Sequence, residues 1–408
     1  MQKYSNLSLG EKLKQIRVAK RLSQENVAKG VNTSESTVSR IEQGQTECSM
    51  EMLTAIKDYI GVAGAPLLED ELAAYESQLW VLNELVAARR ITDAKAMQKK
   101  MFPIRELNFE QDLSILYSMI EARLMSIEGN LDGAEIHLND VKNIIKDASI
   151  ENQHLFHRNI GFLAFFRGDL KISLGHFLQV LDLQTDTLKP DASIYHNIGC
   201  IYRYLGQPFH ALRYLEQALW KFDGDRTHML RLYIVSALSE CYAVVGEVDN
   251  AKKAAVETLM HVQSVNDEAG INYALGLNGF ICRIMGNLEE SLSFYSKCLL
   301  AFPKDSPEYV IFLCSKAIVL NEMKKRSQAK EVISEGKSLA KENEWLTIFL
   351  ESIDHSMNLN NSKSVNYIEN IAIPYLRASA NNYKNSTVSY IISATYYKYM
   401  VIELCATL

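Results

Sequence analysis

The chain has 408 residues, of which 48% are apolar, and 49 Asp and Glu outweigh 43 Lys and Arg for a net charge of −6. That balance excludes a mostly disordered chain and leaves room for two or three domains around a large core. No run approaches eighteen uninterrupted apolar residues and no apolar leader follows Met1, so the expectation is a cytoplasmic protein without a membrane span.

The charge is unevenly divided. Residues 1–65 carry nine Lys and Arg against seven Asp and Glu, while the remainder has a net charge of −8. A weakly basic head on an acidic body predicts that only the head approaches an anionic polymer such as DNA.

In Leu9–Leu22 the residues Leu9, Leu13 and Ile16 fall at i, i+4 and i+7, the spacing of an amphipathic helix. From Ser23 to Gly44 two short helices with a tight turn between them are predicted. Ser23 caps the first, whose apolar side is Val27, Ala28 and Val31. Asn32 stands at the reversal, where a left-handed backbone is required, and Ser34 caps the second helix. Val38 and Ile41 face inward, turning Glu35, Ser36, Ser39 and Arg40 outward, and Gly44 ends the helix. Leu53, Ile56 and Ile60 repeat the amphipathic pattern, completing a small helix-turn-helix domain.

The run Ser-Gln-Glu-x-Val-Ala…Ser-x-Ser-Thr-Val-Ser-Arg-Ile-Glu-x-Gly resembles the Xre/Cro/CI-type family over about residues 9 to 61. Two departures stand out: Gly30 lies inside the first helix, at ~1 kcal/mol relative to alanine, and Asn32 replaces the usual turn glycine. The resemblance implies that the second helix enters the DNA major groove. By position Glu35, Ser36 and Arg40 would face bases, whereas Gln24, Ser34 and Thr37 would touch phosphate. Arg40 suits a bidentate pair with guanine and Glu35 suits cytosine; the competing roles are that Glu35 and Ser36 are merely solvated and that Arg40 pairs internally with Glu42 or a neighbouring carboxylate.

Gly61-Val-Ala-Gly-Ala-Pro66 reads as a hinge, giving a DNA-binding domain over 1–62, a linker over 63–70 and a second domain over 71–408. Beyond it the sequence repeats. Turn positions occur at Arg89, Gly129, Gly168, Gly206, Gly246, Gly286 and Lys324, spaced 38 to 40 apart. Five residues after each stands a small residue: Ala94, Ala134, Ser173, Ala211, Ala251, Ser291 and Ala329. Seven before each but the first stands another: Ala122, Gly161, Gly199, Ser239, Gly279 and Ala317. Small residues let two helices approach closely, so each unit predicts an antiparallel pair, with Phe177, Tyr202, Tyr242 and Tyr295 filling gaps between pairs. Pro208, just after a turn glycine, fits the start of a second helix.

This register resembles the tetratricopeptide repeat, lengthened by four to six residues per unit. The fold expected is all-α: the helix-turn-helix domain followed by a right-handed superhelix of seven units, a divergent eighth around Val365 to Leu376, and a capping helix from Thr387 to Leu404. Its concave groove would be built from the first helices. Helical phase places Leu155, Arg158, Asn159 and Phe162 there, then Ser193, His196, Asn197 and Cys200, then Tyr233, Ser236, Ala237 and Glu240, then Tyr273, Gly276, Leu277 and Phe280, with Asn278 adjacent. Asn159 and Asn197 share a register position, and two carboxamides one repeat apart suit the backbone of an extended peptide; bonding to a neighbouring helix is the competing role. Arg158, His196, Arg203 and Glu240 are read as groove-edge side chains, Tyr233 and Phe162 as aromatic selectors.

Domain order and repeat length together resemble the RRNPP family of peptide-pheromone-responsive regulators of Gram-positive bacteria. The resemblance implies a homodimeric quorum-sensing transcription regulator whose short signalling peptide, bound in the groove, repositions two heads on a palindromic DNA operator. Two alternatives fit the same features: a scaffold that sequesters a response regulator of a phosphorelay, and a peptide-sensing regulator of a phage or mobile element. Cysteines at 48, 200, 241, 282, 298, 314 and 405 form no CxxC pair and read as reduced core residues, and His154 and His157 as surface or groove histidines rather than a metal pair. No nucleophile motif, phosphate loop or zinc spacing occurs, so neither catalysis nor a cofactor is expected.

Overall fold

Four serines open the first four helices of the computed structural model. Ser8, Ser23, Ser34 and Ser49 each accept the amide hydrogen of the residue three further on, starting α1 (Leu9–Ala19), α2 (Gln24–Gly30), α3 (Glu35–Glu42) and α4 (Met50–Tyr59). In α1 and α2 the third residue, Glu11 or Asn26, reaches back to the cap amide. The structure describes residues 4–185, 191–222, 228–264, 266, 268–340, 343–358, 360–372 and 374–375, among which no strand occurs. Among the described residues no helix is long and apolar enough to cross a membrane.

Leu13, Ile16, Val27, Ala28, Val38, Ile41, Leu53 and Ile56 are buried together, as the spacings predict. Each large apolar side chain so buried contributes about 1.5–3 kcal/mol. Asn32 takes φ 53° and Gly44 φ 68°, so the reversal and the helix stop both use left-handed backbone. Gly10 lets α1 cross the end of α3: a Cβ there would stand 2.1 Å from the Ile41 carbonyl oxygen. Gly30, costly inside a helix, makes room for the Tyr59 ring of α4.

The expected hinge is packed. Val62, Ala65 and Leu67 are buried, and Glu71 accepts the amides of Leu67 at 2.8 Å and Leu68 at 3.2 Å and the Lys57 ammonium at 3.2 Å. Chain compactness therefore does not break at 63–70: the two compact units are 1–163 and 164–408.

The repeat register holds throughout. In the first unit α5 (Glu69–Ala87) packs on α6 (Ile91–Gln98) and on α7 (Gln111–Ile127), and α7 on α8 (Leu131–Lys142); α9 (Ile150–Arg167) spans the division. The second unit continues with α10 (Leu170–Asp182), α11 (Ala192–Tyr204), α12 (Pro208–Lys221), α13 (His228–Val244), α14 (Val248–Ser264), α15 (Glu268–Ile284), α16 (Leu288–Ala301), α17 (Pro307–Glu322), α18 (Arg326–Ala340), α19 (Glu344–Ser356) and α20 (Ser362–Tyr367). From α10 each packs on the next wherever both are described. All seven turn positions have positive φ, from 57° at Arg89 to 84° at Gly246. All seven small residues five positions on are fully buried. The two small positions of a pair touch: Ser239 Oγ donates to the Ala251 carbonyl and Ser291 Oγ to the Gly279 carbonyl, both at 2.7 Å. Pro208 is the first residue of α12, where its missing N–H costs nothing.

Phe177 and Tyr295 are fully enclosed, while Tyr202 stacks on Tyr214 at 5.4 Å and Tyr242 donates to Glu216, both half-buried. The divergent eighth unit is described only in part, as α20 and a π-helical turn over Ile368–Ala372, and the capping helix expected over Thr387–Leu404 lies outside the described residues.

Replacing Gly10 with alanine should lower the unfolding free energy by about 1–3 kcal/mol, because the added methyl meets backbone that cannot swing aside. Urea denaturation followed by helical circular dichroism reads this; an unchanged midpoint would remove the close α1–α3 crossing.

Candidate DNA-reading helix and repeat-wall clusters

A buried carboxylate holds α3 in place. Glu42, at its end, accepts Arg17 Nε at 2.6 Å and Nη2 at 2.9 Å from α1, and Gln24 Nε2 at 2.8 Å from α2. Burial works to raise the Glu42 carboxyl, but these hydrogen bonds outweigh it and hold the group below its ordinary range. Glu42 is thereby occupied, so the internal Arg40–Glu42 pairing is not what forms.

Arg40, Glu35 and Ser36 are exposed on α3, Ser34 is exposed at its cap and Thr37 is half-buried. Ser34 Oγ lies 2.8 Å from both the Ser36 and Thr37 hydroxyls, a short polar ladder at the helix start. Gln24 is half-buried, and its amide donates to Glu42 inside the domain, bracing α2 against α3.

The wall residues fall into two groups, one in each unit. In the first, Asn159 is 4% exposed and donates to the Met119 carbonyl of α7 at 2.7 Å. It ties α9 to α7 rather than facing a groove, so the competing role of this asparagine is the one the structure takes. Phe162 lies under the Arg123 guanidinium at 5.6 Å, and Arg123 Nη1 donates to Asn83 Oδ1 at 3.5 Å. Arg158 is half-buried on the same helix. Asn83 and Arg123 were not singled out from the sequence, although both stand six residues before a turn position, the register of Phe162. His154, expected at a surface or groove, is buried.

In the second unit Arg203 and Glu240 are not solvated edge residues. Both are over nine-tenths buried and form an ion pair between the first helices of consecutive repeats, α11 and α13. Burial works to lower the Arg203 guanidinium, yet the Glu240 charge and its ionisable neighbours together outweigh it and hold the group well above its ordinary range. Arg283 and Glu322 join α15 to α17 at 2.8 Å, with the arginine buried and the glutamate exposed. His196 stacks on Tyr233 with ring centres 6.4 Å apart, and Cys200 Sγ lies 3.3 Å from His196 Nε2. Burial, reinforced by the Arg203 charge and opposed by a hydrogen bond to Asn197, pushes His196 down to about 4. Asn197 Nδ2 is enclosed without a hydrogen-bond partner. Asn278 is turned away, donating to the Ala255 carbonyl of α14 at 3.0 Å and to Ala274 at 2.8 Å. The structure thus assembles His196, Asn197, Tyr233, Arg203 and Glu240 and leaves Asn278 out. Among the described residues no cluster of three or more His, Cys, Asp or Glu stands ready for a metal ion.

A helix-turn-helix family model matches residues 8–69, and a tetratricopeptide repeat model matches 192–219, which is α11 and most of α12. No curated protein matches the sequence. The fold is similar to the apo form of the quorum sensor NprR from B. thuringiensis, at 17% identity and a TM-score of 0.64, over 82% of this chain and 99% of that one. NprR in complex with its cognate peptide NprX gives 18% identity and 0.60 over 83% and 100%. A Rap protein complexed with Competence and Sporulation Factor gives 15% and 0.62 over 82% and 98%. The chain thus combines a helix-turn-helix domain with tetratricopeptide-like repeats, in a fold similar to that of NprR and Rap.

Removing one partner of the buried pair strands the other. Glu240→Gln should cost about 3–5 kcal/mol of stability, whereas Arg203→Met with Glu240→Leu should restore most of it. Urea midpoints of the three proteins decide this, and a Glu240→Gln midpoint equal to the parent's would refute it. His196 makes the second unit acid-sensitive: its folded value lies below the unfolded 6.5, so the unfolded chain binds the extra proton, and stability present above pH 6.5 drains away as pH falls toward about 4. His196→Phe should flatten the pH dependence of the urea midpoint between pH 7 and 4.5; an identical slope in parent and variant would rule the histidine out.

Proposed function

We propose that the protein is a cytoplasmic transcription regulator that reads a palindromic DNA operator as a homodimer and is switched by a short signalling peptide held against the first helices of its repeats. The observation that carries this reading is an exposed Glu35, Ser36 and Arg40 on a helix whose own carboxylate, Glu42, is locked inside its domain, in a chain that goes on as tetratricopeptide-like repeats. Arg40 offers guanine a bidentate donor pair in the major groove and Glu35 accepts from cytosine. Ser34 and Thr37, at the helix start, are placed by their chemistry for phosphate. The reading assigns no catalytic step and no cofactor.

On the repeats the peptide lies across α11 and α13, where the His196 and Tyr233 rings offer apolar faces and Asn197 an amide. Arg158 and Phe162 are the corresponding side chains in the first unit. The fold shared with NprR, solved in complex with its cognate peptide, supports a peptide partner for the repeats. The alternative use of the repeats is the capture of a response-regulator protein; the likeness to Rap, complexed with Competence and Sporulation Factor, is one of fold and is compatible with either use. The peptide must favour one arrangement of the dimer over the other, since equal affinity for both shifts nothing.

Selection of duplexes from a random pool on the purified protein, followed by binding measurements at fixed salt, tests the DNA reading. Arg40→Ala should weaken the selected site about 10- to 100-fold, corresponding to roughly 1–3 kcal/mol, and relax selection at one base pair per half-site. A pool that enriches no sequence, or Arg40→Ala binding equal to the parent, would overturn it. Tyr233→Ala should leave peptide-free operator binding unchanged while abolishing the response to the cognate peptide. A receiver-domain protein retained on the repeats and released by peptide would favour the second use.

A further inference from the structure

Lys12 lies on the inner side of α1, 4% exposed, with its ammonium 2.8 Å from Glu110 Oε1 and donating to the Leu67 carbonyl at 3.1 Å. Glu110, 2% exposed, stands at the N-cap of α7, the first helix of a repeat, and its other oxygen accepts the Ser5 amide at 3.2 Å. Phe109 covers the Lys12 ammonium from 5.8 Å, and Tyr4 donates to Glu76 of α5 at 2.8 Å. The segment before α1, α1 itself, the chain at Leu67 and the start of α7 thus meet at one charged pair closed off from water.

A buried ion pair gains little net stability over a well-packed apolar pair, because desolvation cancels most of the attraction, but it tolerates only the arrangement that satisfies both charges. Its setting extends that constraint to α3. Gly10, two residues before Lys12, crosses the Ile41 carbonyl, and Arg17, five residues after it, grips Glu42. We infer that Lys12 and Glu110 form a clasp that fixes the DNA-reading helix on the first repeats, so that Glu110 is a positioning residue for operator geometry. The use of that geometry rests on the DNA-reading proposal; the clasp itself does not.

Amide hydrogen exchange on the full chain separates the two. Glu110→Gln should speed exchange at least about tenfold in residues 5–13 and 104–112 while leaving α8 unchanged, as local opening demands. Glu110→Asp, one methylene shorter, should act in the same direction, and Lys12→Met with Glu110→Leu should restore protection. Lys20→Ala, which removes the exposed Lys20–Glu106 pair, should change nothing. Parental exchange rates in both Glu110 variants would overturn the clasp. On the operator, Glu110→Gln should lose about tenfold in affinity for a duplex with two half-sites and none for a single half-site; equal loss on both would overturn the positioning role. If the parent protein bound neither duplex, the DNA reading would fail and exchange would still decide the clasp.

Discussion

Two helices lie only as close as the side chains between them permit, and in this chain that limit is set by one atom position repeated seven times. Each hairpin turns through a left-handed residue and then, five positions later, presents an alanine or serine with no solvent exposure. The closeness has a polar consequence. At Ser239 and Ser291 the hydroxyl reaches the carbonyl of the opposing helix, which satisfies a donor that burial would otherwise strand. With the pair thus closed on itself, contacts between successive repeats fall to longer side chains, and the inner helices are joined by Arg203–Glu240 and Arg283–Glu322.

Features governed by neighbours in sequence are legible in the sequence itself. The serine caps, the Asn32 reversal and the turn register depend on residues within a few positions, where propensity and backbone geometry decide the outcome. Asn159 shows where this ends. Helical phase gives the side of α9 on which the amide sits, but the Met119 carbonyl it meets belongs to another helix forty residues away. The Lys12–Glu110 pair is further out of reach, and the Gly and Pro content of 61–66 suggested freedom that burial of Val62, Ala65 and Leu67 removes.

Two charges two residues apart on α3 illustrate how position divides labour. Residues i and i+2 point about 200° apart around a helix, so Glu42 faces α1 and α2 while Arg40 faces away. The buried member is not interchangeable with the exposed one. Glu42 has three hydrogen bonds to two different helices and so fixes the angle at which the surface of α3 is presented. Charge on the outer face is left available because charge on the inner face is fully used.

The same division bears on how a repeat wall can respond to a ligand. In a stacked array each unit contacts mainly its neighbours, so the quantity a ligand can change is the angle from one unit to the next. Within the second unit that angle between α11 and α13 is governed by a buried ion pair and by the His196–Tyr233 stack, which lie on consecutive first helices. The ion pair resists, since any separation leaves two charges in a poorly solvating interior. The ring stack has no such penalty and keeps one uncharged, half-buried face on each helix. A peptide in contact with both rings would therefore act on the yielding contact while the stiff one serves as its pivot, and a packed wall converts that small rotation into a choice between discrete arrangements rather than a continuous bend.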